Sequence, residues 1–125
     1  MAASRKLQLQ FIGWVTGVLE EMEQHSSRKT REVCKHLDEG SVSVLLNVAE
    51  GNGKRQRRIR AKLFDDARGS ATECAACLDA LVAKQACIPD RVQPGKAMLD
   101  RVVSMLTKLV ARFENDDPEP PAGKT

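Results

Sequence analysis

Proline placement is the sequence feature that most constrains the fold. None of the first 88 residues is proline, and the five prolines of this 125-residue chain are Pro89, Pro94, Pro118, Pro120 and Pro121. A proline inside a helix removes a backbone hydrogen bond and clashes with the preceding turn, so long helices avoid it. The distribution therefore predicts a long helical region, one break near residues 89–94, a further helical stretch and a proline-rich tail.

Apolar residues recur every three or four positions, the spacing of one helix face. The four stripes are centred on Phe11, Val15, Val18 and Met22; on Val33, Leu37, Val44 and Val48; on Phe64, Ala71, Cys74 and Leu78; and on Met98, Val102, Met105, Leu109 and Phe113. They predict helices over about 5–24, 28–51, 57–85 and 94–114. Pro94 is expected in the first turn of the fourth helix.

Glycines complicate the second predicted helix. The sequence around Gly40 resembles a turn, but the apolar stripe keeps its phase on both sides of it, which favours one continuous helix. Gly51-Asn52-Gly53 then provides residues that can end a helix in the left-handed region.

Four helices joined by short links predict an all-α, antiparallel up-down four-helix bundle over residues 1–114. Residues 115–125 have three prolines and four charges but no large apolar side chain. Such a segment cannot compensate for its ordering entropy, so we expect it to be disordered.

Composition excludes several classes of protein. No apolar run approaches the length of a membrane span, and the first ten residues lack a secretory signal, so we expect a cytoplasmic protein. The cysteines, Cys34, Cys74, Cys77 and Cys87, are then expected to be reduced. Cys74-x-x-Cys77, with Cys34 and His36 as further ligands, suggests zinc, but one cysteine pair in the middle of an apolar helix face is more typical of a core. We expect no metal and no cofactor.

The strongest local feature is a run of basic residues within positions 54–62. Its six cations are Lys54, Arg55, Arg57, Arg58, Arg60 and Lys62, and no acidic residue occurs from position 51 to position 64. Such a segment suits a phosphate backbone, because affinity for a polyanion rises with each counterion released. The alternative is that the cations pair with Asp65, Asp66 or acids of a neighbouring subunit. Phe64 is the one aromatic residue nearby and is expected in the core, so base stacking is not predicted.

Two short segments resemble those of a known family. Leu46-Asn47-Val48-Ala49-Glu50-Gly51, and Gly69-Ser70 with Glu73, resemble segments of the bacterial four-helix-bundle proteins named for the intervening sequences of 23S ribosomal RNA. The resemblance covers residues 5–114. The chain differs in having Leu45-Leu46 where the family often has a proline, and in lacking tyrosine.

The resemblance implies a non-enzymatic bundle that assembles into homo-oligomers, pentamers among them, with a link to RNA. A related branch, the accessory variability proteins of diversity-generating retroelements, forms pentameric basic barrels that engage a reverse transcriptase and nucleic acid. The partners expected on this ground are further copies of the chain, RNA or DNA, and a reverse transcriptase. Five copies would bring about thirty cations of the basic segment together on one rim.

The polar residues of the two family-like segments are expected to have structural roles. A hairpin of the second and third helices centred near Lys54 would place Glu73 near Lys35. Ser70 would lie near Asp38 and bond a helix carbonyl. Gly69 would mark the closest backbone approach, and Asn47 and Glu50 would share one helix face.

Glu50 could accept hydrogen bonds from the loop arginines. Catalysis by Glu50 or Glu73 would need a second reactive group and a cleft, so no catalytic residue is predicted.

Two hypotheses of different kinds remain. The first is an oligomeric accessory protein that binds nucleic acid through the six cations. The second is a scaffold that binds only protein, with its loop arginines against acidic surfaces.

Overall fold

The structure, a computed structural model, describes residues 2–24 and 28–115, with side chains over 5–24 and 28–114. Its helices are α1 (Ala2–Gln24), α2 (Arg28–Asn52), α3 (Arg57–Ala83) and α4 (Pro89–Asn115). Each helix packs on the next, and α1 also packs on α4. The prediction of an all-α, up-down antiparallel four-helix bundle is confirmed. Residues 116–125, where a disordered tail was predicted, lie outside the described residues.

The core lies along the centre of the bundle and draws on all four helices. Its fully buried large side chains include Val18, Leu37, Phe64, Leu78, Leu99 and Leu106. Small residues of α3 at positions 67, 71 and 74 are also fully buried, and they let the neighbouring helices pack closely. None of the helices, over the residues described, is long and apolar enough to cross a membrane.

The helix α2 is continuous through Gly40, as its apolar phase predicts. A Cβ atom at this position would lie 2.9 Å from the sulfur of Cys74 and 3.7 Å from the carbonyl oxygen of Ser70. The glycine therefore allows α2 and α3 to approach closely in the middle of the bundle. Packing here outweighs the helix-propensity cost of glycine, which is about 1 kcal/mol relative to alanine.

The predicted left-handed ending of α2 is wrong. No described glycine has a positive φ. The Gly53 amide instead donates to the carbonyls of Ala49 and Glu50, at 3.2 and 3.1 Å, and α2 extends to Asn52. Gly51 is required by packing, since a Cβ there would lie 2.7 Å from the ring of Phe64.

The link between α3 and α4 also differs from prediction. The helix α3 ends at Ala83 rather than residue 85, and α4 begins at Pro89 rather than 94. Pro89 occupies the first helical position, where its missing N–H has no helical partner to lose. Pro94 lies inside α4. Because proline has no backbone N–H, one carbonyl of the preceding turn loses its helical hydrogen bond.

The buried face of α4 is rotated slightly from its predicted centre. Val92, Leu99 and Leu106 are buried with the predicted Val102 and Phe113. Met98, Met105 and Leu109 are only partly buried and flank this face. Several apolar positions adjoin one another on α4, so periodicity located the face but not its midline.

The helix α3 ends in a Schellman motif built around a non-glycine residue. The Ala86 amide donates to the Leu81 carbonyl at 2.9 Å, and the Gln85 amide donates to the Val82 carbonyl at 2.9 Å. Gln85 has φ of 63°, the left-handed conformation that usually selects glycine here. A side chain in this region strains the backbone.

Gln85→Gly should therefore raise the free energy of unfolding by about 0.5–1 kcal/mol, because glycine adopts the left-handed region without strain. Urea denaturation followed by circular dichroism measures the change. Lys84→Gly is the matched control, since Lys84 has φ of −81° and should lose stability by up to about 1 kcal/mol. Equal destabilisation by both substitutions would contradict a strained Gln85.

Candidate nucleic-acid interface

The six predicted cations lie at one end of the bundle, on the α2–α3 link and the first turns of α3, but they differ in environment. Lys54, Arg55 and Arg58 are exposed. Arg57 and Arg60 are half-buried, and Lys62 is exposed but bonded to Asp66 with an Nζ···Oδ2 distance of 3.0 Å. The basic segment therefore contains both exposed cations and cations packed into the fold.

Arg57 and Arg60 dock the start of α3 onto the end of α4. The guanidinium carbons of Arg57 and Arg60 lie 4.9 and 4.2 Å from the centre of the Phe113 ring, and that of Arg112 lies 5.6 Å away. Arg57 Nη2 also donates to the Arg112 carbonyl at 2.8 Å. Three guanidinium groups thus surround one aromatic ring, an attractive arrangement because the ring face is negative.

The position of Arg57 resolves an electrostatic conflict in the sequence. A cation at the start of a helix is disfavoured by that helix's own dipole. The antiparallel fold places the carbonyl end of α4 beside the start of α3, and Arg57 bonds one of its last carbonyls. Arg57 is thereby stabilised by the dipole of the neighbouring helix.

Phe113 is the functional-site residue that the sequence analysis missed. Periodicity places Phe113 on the apolar face of the fourth helix but does not indicate that it lies beside the basic segment. Its ring centre is 5.7 Å from that of Phe64, and it is 8% exposed. The up-down topology could have predicted this position, since it places the end of the fourth helix next to the start of the third.

The acids nearest in sequence leave the exposed cations unpaired. Asp66 binds Lys62, and Asp65 binds Arg68. Lys54, Arg55 and Arg58 form no side-chain hydrogen bond or ion pair with any residue the structure describes. Intramolecular pairing with Asp65 and Asp66 therefore does not account for these three charges.

The beginning of α3 adds positive potential of its own. Its first turn has no acidic residue, and its N-cap, Gln56, makes no side-chain capping bond. The first backbone N–H groups of a helix lack intrahelical acceptors and favour anions. The helix α1 begins at this same end of the bundle, and its exposed Arg5 and Lys6 add positive charge there.

A groove between α3 and α4 opens beside these residues. It has a volume of about 590 Å³. Its lining residues are Arg57, Arg58, Ala61, Lys62, Asp65, Phe113 and Glu114. The cations of this groove lie on the first two turns of α3. Asp65 places a carboxylate further along α3, and Glu114 places one on the last turn of α4, beside the start of α3.

The sequence profile of the 23S rRNA-intervening sequence protein family matches residues 5–108 of the chain. The chain belongs to this family. A crystal structure of a protein of unknown function from the S23 ribosomal protein family of Bacteroides thetaiotaomicron has the same fold, with a TM-score of 0.76. The two chains are 14% identical over 86% of this chain and 97% of that one. No curated protein matches the sequence.

Two of the polar residues that pointed to the 23S rRNA-intervening sequence family meet at the α2–α3 contact. Asn47 Nδ2 donates to the carbonyl and the hydroxyl of Ser43, at 3.0 and 3.1 Å. The Ser43 hydroxyl is 2.9 Å from that of Ser70. Ser43 therefore joins Asn47 to Ser70, and neither the family-like segments nor periodicity identified it.

Several finer predictions for these segments are wrong. Ser70 bonds the Ser43 hydroxyl rather than a carbonyl near Asp38, and a Cβ at Gly69 would meet nothing within 4 Å. Gly40, not Gly69, is the glycine whose Cβ would meet the facing helix in the middle of this pair, because the α2–α3 register is displaced from a symmetric hairpin centred on Lys54.

The two glutamates of the family-like segments point into solvent. Glu50 and Glu73 are exposed. Over the described residues, Glu73 forms no ion pair with Lys35, and Glu50 forms no hydrogen bond with the loop arginines. Both carboxylates are therefore available for contacts beyond the described chain.

The cysteines lie in or against the core. Cys74 is fully buried, and burial raises the pKa of its thiol to about 12. Because zinc binds the thiolate, a metal ion at this thiol would have to displace a tightly held proton. Within residues 2–24 and 28–115, no three His, Cys, Asp or Glu side chains are placed to hold a metal ion.

Two glycines of the family-like segments provide a matched test of this geometry. Gly51→Ala should lower the free energy of unfolding by about 1–3 kcal/mol, because its Cβ would overlap the Phe64 ring. Gly69→Ala should raise it by up to about 1 kcal/mol, because that position is open and helical.

Urea denaturation of both variants measures these changes. If Gly51→Ala were as stable as the parent chain, the close contact between Gly51 and Phe64 would be refuted.

Proposed function

We propose that this member of the 23S rRNA-intervening sequence family is a non-enzymatic accessory protein that binds the phosphate backbone of RNA or DNA. Lys54, Arg55 and Arg58 are its principal contacts, with Arg57, Arg60 and Lys62 at their margin. The observation that carries the proposal is the three exposed cations beside the uncapped start of α3, which form no ion pair with the part of the chain that the structure describes. Each phosphate that they neutralise releases a counterion and adds affinity.

The proposed binding is independent of base sequence. Sequence readout of single strands relies on exposed aromatic side chains that stack on bases. Phe64 and Phe113, the aromatic residues at this end of the described bundle, are 0% and 8% exposed. The proposed contacts are therefore to phosphates, which position a nucleic acid without reading its bases.

The proposal includes self-assembly into a homo-oligomer, with a pentamer favoured, as the family resemblance implies. Five copies would concentrate about thirty basic side chains on one rim and strengthen polyanion binding by multivalency. A reverse transcriptase is a further proposed partner, to which the protein would deliver RNA or cDNA. Soluble assembly in the cytoplasm is part of the same proposal.

A scaffold that binds only protein is the second candidate, and exposed apolar residues favour it. Leu9 of α1 is 51% exposed, and Val42 and Leu46 of α2 are 39% and 60% exposed. Large apolar side chains on adjoining helices are typical of a surface that contacts protein. Under this alternative, the loop arginines bind acidic residues of the partner.

The combined substitution Lys54→Gln, Arg55→Gln and Arg58→Gln tests the primary proposal. Binding of a labelled single-stranded RNA should fall at least about tenfold, and the slope of log affinity against log salt should become shallower by about 2. Fluorescence anisotropy across a salt series measures both quantities.

The matched control is Arg28→Gln, Arg31→Gln and Lys35→Gln, which removes three exposed cations from the other end of the bundle. The control should retain nearly all RNA affinity. Equal losses in the two triple variants would indicate a net-charge effect, and no loss in the first would overturn the proposal.

Light scattering tests the pentamer, which a monomeric mass would exclude.

A further inference from the structure

The groove between α3 and α4 differs from the loop cations beside it because it is concave and one of its cations, Arg57, is held in place. Arg57 is held by the Phe113 ring and by the Arg112 carbonyl. Arg58 lines the same groove from the first turn of α3, and Lys62 lines it from the second. A guanidinium that is already positioned loses little side-chain entropy when it binds an anion.

The charges along the groove are unevenly distributed. The cations lie at its α3 start, adjacent to Lys54 and Arg55 of the link, with Glu114 beside them on the last turn of α4, whereas Asp65 lies further along α3. A strand running on through the groove would bring a phosphate against Asp65. A strand that ends among the cations and leaves over the link would not reach Asp65.

The charge of the ligand supports the same conclusion. A terminal phosphate carries about 1.5 to 2 negative charges near pH 7, whereas an internal phosphodiester carries one. Charge-assisted bonds from guanidinium to phosphate are short and directional. A site that brings several cations, Arg57, Arg58 and Lys62, to one groove therefore gains more from the dianion than from the diester.

From this geometry we infer that the α3–α4 groove is a binding site for the terminal phosphate of a nucleic-acid strand, with Arg58 as its principal recognition residue. The inference rests on the proposed nucleic-acid binding and adds a substrate class, the phosphomonoester end. The following phosphates then contact Lys54 and Arg55 on the link.

The test compares three single-stranded RNAs of eight nucleotides and identical sequence, bearing a 5′-phosphate, a 3′-phosphate or hydroxyls at both ends. Anisotropy titrations with the full chain at fixed salt and pH 7.5 should show at least about fivefold tighter binding of one phosphorylated RNA than of the hydroxyl form. The preferred end identifies which terminus the groove accepts. The preference should shrink at pH 5.5, because the second pKa of a phosphomonoester is about 6.

Two single variants separate the groove from the link. Arg58→Gln should abolish the preference for the phosphorylated RNA, while Arg55→Gln should weaken all three RNAs by the same factor and keep their ratio. Circular dichroism confirms that both variants remain helical. A ratio that survives in Arg58→Gln would overturn the assignment to this groove.

The outcomes also separate this inference from the proposed function. Equal binding of the three RNAs would overturn the terminal-phosphate site and leave backbone binding intact. Failure of all three to bind would overturn both. Equal loss of the preference in Arg55→Gln and Arg58→Gln would assign it to general positive charge and would contradict a localised site.

Discussion

The packing of arginine side chains on Phe113 is the interaction on which the basic end of this bundle depends. Arg60 lies closest to the ring, with its guanidinium carbon 4.2 Å from the ring centre, and Arg57 and Arg112 lie within 5.6 Å. Phe113 in turn packs on Phe64, and the Phe64 ring fills the space left by Gly51. One continuous set of contacts thus joins α2, α3 and α4 where the chain is most positively charged.

This arrangement divides the basic segment by role. Arg57 and Arg60 bind the end of α4, and Lys62 is bonded to Asp66. Lys54, Arg55 and Arg58 remain exposed. Because the anchoring arginines position the start of α3, they also determine where the exposed cations and the α3–α4 groove lie. The proposed recognition of nucleic acid therefore depends on residues that need not contact it.

Much of the fold could be predicted from the sequence, because helix number and orientation depend on repeated, redundant signals. The apolar stripes recur over many turns, and prolines are absent from the first 88 residues. Features that depend on single residues were not predictable in the same way. Gln85 adopts a positive φ that usually signals glycine, and Pro94 lies inside a helix rather than at its start.

The candidate site was predictable in position but not in organisation. The run of six cations is evident in the sequence. Its division into anchored and exposed groups depends on Phe113, which is about fifty residues away along the chain. Likewise, Ser43 joins Asn47 to Ser70 only because the α2–α3 register is displaced from a symmetric hairpin. Local sequence does not specify such inter-helix offsets, which are determined by how side chains interlock across the interface.

A double-mutant cycle between Arg60 and Phe113 tests the central interaction most directly. The free energies of unfolding of Arg60→Gln, Phe113→Leu and the double variant would be measured in urea and compared with that of the parent chain. Packing of the guanidinium on the ring predicts a favourable coupling of about 0.5–2 kcal/mol. Additive effects with no coupling would show that Phe113 does not hold the arginine, and would contradict the proposed division of the basic segment.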